Sequence, residues 1–397
     1  MDPVRNPYAP GAGQRPPELA GRDGVLEQFD VVLERVARGR PERGLVLTGL
    51  RGVGKTVLLN AMRSQAISRR WGTGKIEARP DQSLRRPLAG ALHMAVRELA
   101  PRHRGPQQVD AFLGVLKAFA LRSNPDGAKL RDRWQPGIAV PATAGRADTG
   151  DMEVDLVEVL VDAAGVARDV GVGIAIFVDE MQDLTEPDIS ALCAACHELS
   201  QQRLPLVVVG AGLPHVPTVL SASKSYSERL FRYVRIDRLD RAAADWALVA
   251  PAEEEGVAYE ADALDALYRA TEGYPYFVQA YGKVTWDHAP RSPVAAADVL
   301  VAAPEAQAEL AVGFFGSRYE RATPAERDYL RAMAAVSESA DGAAVSTADV
   351  ASHLGRKPSS LSPARDSLIK KGLVYSGERG TIAFTVPHFG EYLRKHG

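Results

Sequence analysis

Hydrophobic positions along the chain follow two rhythms in turn. Continuous apolar runs at 45–47, 174–178 and 204–209 predict strands buried on both faces, as in a parallel sheet. Lys75–Ala78 and Val234–Ile236 are a weaker and a shorter strand candidate. Between these runs the apolar residues recur every three or four positions. Val25, Leu26, Phe29, Val32, Leu33 and Val36 predict a helix over 23–38, and the same spacing predicts helices over 84–99, 107–121, 151–170 and 189–199. Strands alternating with helices imply a doubly wound α/β sheet whose ligand crevice lies beyond the strand C-termini. Only Gly137–Val140 looks strand-like within the Pro/Gly/Asp/Arg-rich stretch 123–150, which reads as an insertion or loop.

From residue 240 onward the pattern is helical, with helices expected over 242–254, 262–270 and 274–288 as a three-helix lid. Pro290, Pro293 and Pro304 punctuate the segment after that lid, and a linker helix is expected over 305–321. Thr323-Pro324-Ala325-Glu326 carries a capping-box pattern that opens a helix to 336. Further helices over 346–354 and 359–371, a hairpin of 374–375 with 382–384 around Gly377–Gly380, and a terminal helix from Pro387 predict a winged helix-turn-helix. The expected partition is a Pro/Gly-rich arm (1–18), an α/β core (19–239), a helical lid (240–303), and a linker helix with the winged-helix domain (304–397). The arm, with five prolines, has no core of its own; it is either disordered or lies over the ligand site.

A net charge of −2 over 397 residues excludes a molecule that binds nucleic acid by its bulk charge, so any such surface is local. No secretory segment and no stretch approaching the ~18–20 apolar residues of a membrane span is evident, which gives the expectation of a cytoplasmic protein with no membrane partner. Cys193-Ala-Ala-Cys196-His197 has the form of a haem-attachment motif. Its cysteines fall on the apolar stripe of a predicted helix, so they read as core residues.

The chemistry concentrates after the first strand. Gly49-Leu50-Arg51-Gly52-Val53-Gly54-Lys55-Thr56 fits the phosphate-loop pattern, and a helix starting near Val57 completes the strand–loop–helix context. Backbone N–H groups of Arg51 to Val57 would cradle a polyphosphate at the helix N-terminus. Lys55 would reach the β- and γ-phosphates, and the Thr56 hydroxyl would hold Mg²⁺. The strand 174–178 ends in Asp179-Glu180, which places Asp179 to hold the Mg²⁺ shell and Glu180 to polarise an attacking water. In Tyr226–Arg232, Arg229 is the candidate to stabilise γ-phosphate charge, in cis or from a neighbouring subunit, with Arg232 in reserve. Near the C-terminus, Arg356, Lys357, Arg365 and Lys370 form a basic stretch with Lys371 against the single acid Asp366, a candidate contact for double-stranded DNA. Winged helices also bind protein, so a protein partner is the alternative.

On these motifs, residues 18–300 resemble the AAA+ and STAND-type P-loop ATPases, above all the archaeal-type ATPases and the origin-recognition group, which carry a C-terminal winged helix. The resemblance implies ATP and Mg²⁺ as cofactors, possession of a helical lid, and a homo-oligomer if Arg229 acts in trans. Gly21-Arg22 is similar to the family's adenine-side box, and Gly273-Tyr274-Pro275 to its G-x-P lid motif, so Arg22 and Pro275 are expected beside the nucleotide. Two departures stand out: the strand at 204–209 is followed by Gly210-Ala211-Gly212 where relatives place a polar sensor, and the lid helix from Tyr274 lacks the usual sensor arginine. The expectation is a slowly hydrolysing ATPase that switches on DNA; a STAND-like scaffold with a protein-binding winged helix is its rival, and a metabolic kinase fits poorly.

Overall fold

The computed structural model describes residues 1–11, 16, 18–80, 82–122, 137–337, 344–376, 380–386 and 388–396. The turn of the expected hairpin at 377–379, the start of the terminal helix at Pro387, and 123–136 of the insertion lie outside the described residues.

Five parallel strands form the central sheet: β1 (Gly44–Thr48), β2 (Gly72–Glu77), β3 (Ile174–Asp179), β4 (Leu206–Gly212) and β5 (Phe231–Arg235), in the order β2-β3-β4-β1-β5. Side chains alternate between two buried faces. Val46, Ile174, Ile176, Val178, Leu206 and Val208 enter one core, and Leu45, Leu47, Ala175, Phe177, Val207 and Val209 enter the other. The second face is covered by α1 (Asp23–Ala37) and α2 (Lys55–Ser68), and the first by α3 (Arg85–Leu99), α4 (Pro106–Leu121), α5 (Met152–Val170) and α6 (Glu186–Gln201). Two short helices, α7 (Val216–Ser223) and α8 (Ser227–Leu230), lead from β4 to β5. This is the expected α/β core.

Two expectations for the core need correction. Gly137–Val140 is not a strand; its Ile138 and Val140 carbonyls accept from Lys117 Nζ, at 3.0 and 2.9 Å, on α4. Strand β4 does not end at Val209 but runs through Gly212, paired to β1 at Gly210, Ala211 and Gly212. A Cβ on Gly210 would lie 1.9 Å from Met181 Sδ, so any side chain there would displace Met181 of the turn after β3. The cysteines sit as expected: Cys193 is buried and Cys196 partly so, and burial pushes the Cys193 thiol up to about 11, which fits core residues.

The lid comprises α9 (Arg241–Glu254), α10 (Ala261–Thr271) and α11 (Pro275–His288). Next, α12 (Ala296–Glu309), a π-helical stretch (Leu310–Gly316) and α13 (Ser317–Tyr319) form one continuous 24-residue helix. Pro304 therefore lies inside a helix rather than before one, and the expected boundary at 303/304 falls within it. By length and composition alone this helix is long and apolar enough to cross a membrane, a test that the core helix of a soluble protein also passes. It packs on α10 and α11, and Val299, Ala302, Ala306, Leu310, Phe314 and Phe315 are buried.

The C-terminal unit contains α14 (Pro324–Ser337), β6 (Val345–Ser346), α15 (Thr347–His353), α16 (Pro358–Lys370), β7 (Val374–Tyr375), β8 (Thr381–Phe384) and α17 (Phe389–His396). The capping acid works as read: Glu326 accepts from the Thr323 N–H at 2.7 Å. β7 and β8 pair antiparallel as expected, and β6 adds a third strand that the sequence reading missed. A single core joins this unit to the lid and to Tyr8 of the N-terminal arm. The described residues 1–11 of the arm pack on α9 and α11: Asn6 donates to the Lys283 carbonyl (2.9 Å) and Asp287 (2.8 Å), and the buried Tyr8 hydroxyl donates to the Leu248 carbonyl (2.6 Å).

Candidate nucleotide site

The phosphate loop is shaped by what surrounds its glycines. A Cβ on Gly49 would lie 2.1 Å from the Ile236 carbonyl oxygen, so only glycine lets the loop leave β1 beside β5. Gly52 and Gly54 take φ of 85° and 89°, in the left-handed region that turns the loop into α2. Lys55 opens that helix and is buried. Its Nζ donates to the loop carbonyls of Gly49 (2.9 Å) and Leu50 (2.7 Å). Burial pushes its pKa down to about 8; Glu180 and Asp179 oppose the shift and Arg51 adds to it.

The acids arrive from β3, two strands away in the sheet. Asp179 is buried and accepts a hydrogen bond from the Thr56 side chain; Lys75 Nζ, on β2, lies 3.9 Å from its Oδ2. Its pKa is raised, by burial first and by Glu180, against the Thr56 bond and Lys75. Glu180 has φ 53° and ψ 45°, a left-handed conformation that costs a non-glycine residue about 1–3 kcal/mol and concentrates at functional sites. Both its carboxylate oxygens are engaged: Oε1 accepts from Arg51 Nη1 (3.1 Å) and Oε2 from Gln182 Nε2 (2.6 Å). Gln182 Oε1 in turn accepts from the Leu213 N–H at the end of β4 (3.0 Å). A polar group therefore links Glu180 to the strand where the sequence showed only glycine and alanine.

These groups open onto a cavity of about 360 Å³ at the C-terminal edge of the sheet. Arg51, Gly52, Val53, Gly54, Lys55, Thr56 and Val57 line it, together with Asp179, Glu180, Arg22 and Pro275. Gly49 sits beneath the loop rather than on the wall. Arg22 Nη2 donates to the Val53 carbonyl (3.4 Å) and the Asp237 carbonyl (2.6 Å), tying the loop to the segment after β5. The lid closes down through Tyr276, whose N–H donates to the Gly52 carbonyl at 3.3 Å.

Arg229 is not part of this constellation. It lines a separate cavity of about 170 Å³, with Gly44, Leu206 and Phe231, at the N-terminal ends of β1, β4 and β5. The reading of Arg229 acting in cis is therefore corrected: the sheet separates it from its own phosphate loop. Arg356 and Lys357 precede α16 and Lys370 ends it, all exposed, while Arg365 is half-buried and paired with Asp366 at 3.1 Å. Nothing brings these four residues to the nucleotide cavity.

Several wall residues escaped the sequence reading. Gln279 of α11 faces the cavity with Ala9 to Gly11 of the arm, and Gln279 Oε1 accepts the Ala9 N–H at 3.2 Å. Phe314 and Arg318 come from the long helix beyond the lid. Phe314 stacks on Tyr276 (centroids 4.7 Å apart), and the Arg318 guanidinium lies 4.4 Å from the Phe314 centroid. Burial lowers the Arg318 pKa, with Arg51 and Arg321 adding. No local signal marks Phe314 or Arg318, because only tertiary folding brings them to the loop.

A loop of inward N–H groups, a lysine, a hydroxyl beside a buried carboxylate and an acid beyond it suits a polyphosphate with Mg²⁺. No cluster of three or more metal-ligating side chains occurs among the described residues. A metal held by one hydroxyl and one carboxylate needs none, since Mg²⁺ takes its other ligands from phosphate and water.

Comparison with known proteins agrees. Residues 18–209 match the family model of the AAA ATPase domain, and residues 312–393 match a domain of unknown function, DUF8462. No curated protein sequence matches the chain. Among solved structures, the chain is similar to the Walker-type ATPase of Pyrococcus abyssi, with 16% identity and a TM-score of 0.57, covering 96% of this chain and 97% of that one. It is also similar to the Thermotoga maritima RuvB Holliday junction branch migration motor (15% identity, TM-score 0.45, coverage 96% and 99%). A further similar structure is the Aeropyrum pernix Orc1 protein in complex with DNA (16% identity, TM-score 0.43, coverage 96% and 94%).

Proposed function

We propose, from the premise that residues 18–209 belong to the AAA ATPase domain family, that this ATPase is a nucleotide-dependent switch. ATP and Mg²⁺ occupy the cavity between the core, the lid and the long helix that leads into the C-terminal unit. In this reading Lys55 and the N–H groups of the loop hold the phosphates, while Thr56 and Asp179 hold Mg²⁺, which neutralises developing phosphate charge when bound. Glu180 orients the attacking water and takes up its proton. Arg22, Pro275 and Gln279 bound the base side. The observation that carries the reading is the shared wall: Gly52, Phe314 and Arg318 belong to the phosphate loop and to the helix leading into the C-terminal unit, yet line one cavity. A ligand that contacts both moves the balance between their arrangements.

The output surface in this proposal is the C-terminal unit acting as a winged helix on double-stranded DNA through Arg356, Lys357, Arg365 and Lys370. Arg229, on the far side of the sheet, would serve a neighbouring subunit in a homo-oligomer. A protein partner is the second reading, favoured by the neutralisation of part of the basic stretch: Arg365 pairs with Asp366, and Lys371 with Glu326 at 2.7 Å. Steady-state ATP turnover with and without duplex DNA, for the native protein and Glu180→Gln, tests the pair. Turnover raised by DNA and lost in the variant supports the DNA switch. Nucleotide binding with no response to DNA at low salt refutes it and directs the search to a protein.

A further inference from the structure

The third residue of the phosphate loop is the point where three parts of the molecule meet. The main-chain N–H of Arg51 donates to the Thr385 carbonyl at 2.9 Å. Its Nε donates to the Gly372 carbonyl at 3.3 Å, and its Nη1 to Glu180 Oε1 at 3.1 Å. One arginine thus binds the C-terminal unit with its backbone and one edge of its guanidinium, and the acid of the core with another edge.

The receiving segment is built for this contact. Thr385 is fully buried, and its hydroxyl bonds the Gly372 carbonyl (2.7 Å) and the Leu373 carbonyl (3.1 Å), which fixes the acceptors in place. Gly372 has φ +64°, and a Cβ there would lie 2.6 Å from Arg51 Nη2, so a side chain would strike the guanidinium. Nearby, Tyr375 of β7 stacks on His215 of the core with centroids 6.2 Å apart and planes at 12°. The docked face is therefore a second, independent contact between the C-terminal unit and the core.

We propose that Arg51 is a positioning residue that holds Glu180 out of use while Gly372 and Thr385 are docked on the phosphate loop, and frees it when they leave. With one oxygen fixed by Arg51 and the other by Gln182, the Glu180 carboxylate is anchored at both ends. Loss of the Gly372 and Thr385 carbonyls leaves Arg51 with no anchor outside the site, so that its guanidinium can turn to phosphate charge and let Glu180 turn to water. No new covalent step is involved; the water proton goes to Glu180 in the freed state. This inference rests on the ATPase reading above, and it adds the means by which the C-terminal unit governs the rate.

The test uses the full chain, with steady-state turnover and labelled-nucleotide binding measured on each variant. Arg51→Gln keeps the backbone bond to Thr385 and removes the charged hold on Glu180. The expected result is a rise in kcat of about tenfold, the size of one charge-assisted contact, read separately from any change in KM, since the guanidinium also lines the phosphate site. Tyr375→Ala, which lies outside the phosphate site, is expected to raise kcat in the same direction and to speed hydrogen exchange of the Arg51 amide. Arg51→Gln combined with Glu180→Gln is expected to abolish the gain, which shows that it runs through Glu180. A kcat that falls or stays level in Arg51→Gln, with nucleotide still bound, overturns the proposal and assigns Arg51 to phosphate binding or loop structure. Failure of the native protein to bind nucleotide at all is a different result, and removes the ATPase reading itself.

Discussion

The depressed pKa of Lys55 makes ATP affinity pH-dependent, with a sign and size that follow from the structure. In the folded protein without ligand, burial lowers this ammonium from 10.5 to about 8, so above pH 8 the residue is mostly neutral. A polyphosphate favours the charged form and raises that pKa again. Binding above pH 8 therefore takes up a proton, and affinity falls as pH rises. If only charged Lys55 binds the phosphates well, the competent fraction drops from about 0.9 at pH 7 to about 0.09 at pH 9, a tenfold loss or ~1.4 kcal/mol. Nucleotide titrations at fixed Mg²⁺ and salt, in steps from pH 7 to 9.5, would give the slope, and calorimetry in buffers of different ionisation enthalpy would count the proton. Lys55→Met is expected to bind weakly with a flat profile. A native affinity that does not change between pH 7 and 9, or the same slope in Lys55→Met, refutes the assignment of that titration to Lys55.

Two further outcomes are expected. The Asp183 carboxyl is held up at about 6 by burial and then by Glu180, so its protonated form stabilises the fold below pH 3.8 and that contribution is lost as pH rises through 6. Asp183→Asn should accordingly raise the melting temperature at pH 7.5, by the equivalent of ~1 kcal/mol after discounting the full shift for partial exposure, and change it little at pH 4. Arg318→Ala removes a cation from the cavity wall and should weaken ATP binding by about tenfold and AMP binding much less; equal losses for both nucleotides would assign Arg318 to packing on Phe314.

The phosphate loop and the acids after β3 were legible because each depends on a few adjacent residues: a buried apolar run, glycines at fixed intervals, then a helix. The length of β4 was not. Gly210-Ala211-Gly212 carries weak strand propensity by itself and reads as a turn, but pairing with β1 and the clearance needed by Met181 keep it extended. Pro304 misled for the same reason. Its effect on the local helix is outweighed by the packing of Val299, Ala302 and Ala306 against the lid, a contact that no window around residue 304 contains. The arm looked coreless because its prolines and glycines dominate. Yet Tyr8 buries its ring in the lid core and donates its hydroxyl to the Leu248 carbonyl, beside the Asn6 bonds to α11, contacts that no local pattern around these residues shows.

These misses share a direction: what was not legible came from contacts made across the chain, and the same contacts complete the nucleotide site. The AAA ATPase match ends at residue 209, yet the cavity also takes walls from Pro275, Gln279, Phe314 and Arg318. The lid and the C-terminal unit, moreover, share one hydrophobic core, so Phe314 and Arg318 cannot shift far without carrying the helices packed around them. A ligand that draws Arg318 toward its phosphates therefore acts on the whole C-terminal body, and displacement of that body takes two walls off the nucleotide. Linkage makes the effect reciprocal: whatever binds the C-terminal unit in its docked arrangement must tighten or loosen nucleotide by the same factor by which nucleotide alters its own binding. Under the proposed switch, nucleotide affinity measured with and without duplex DNA, or a candidate protein, would read directly how strongly the two sites are coupled.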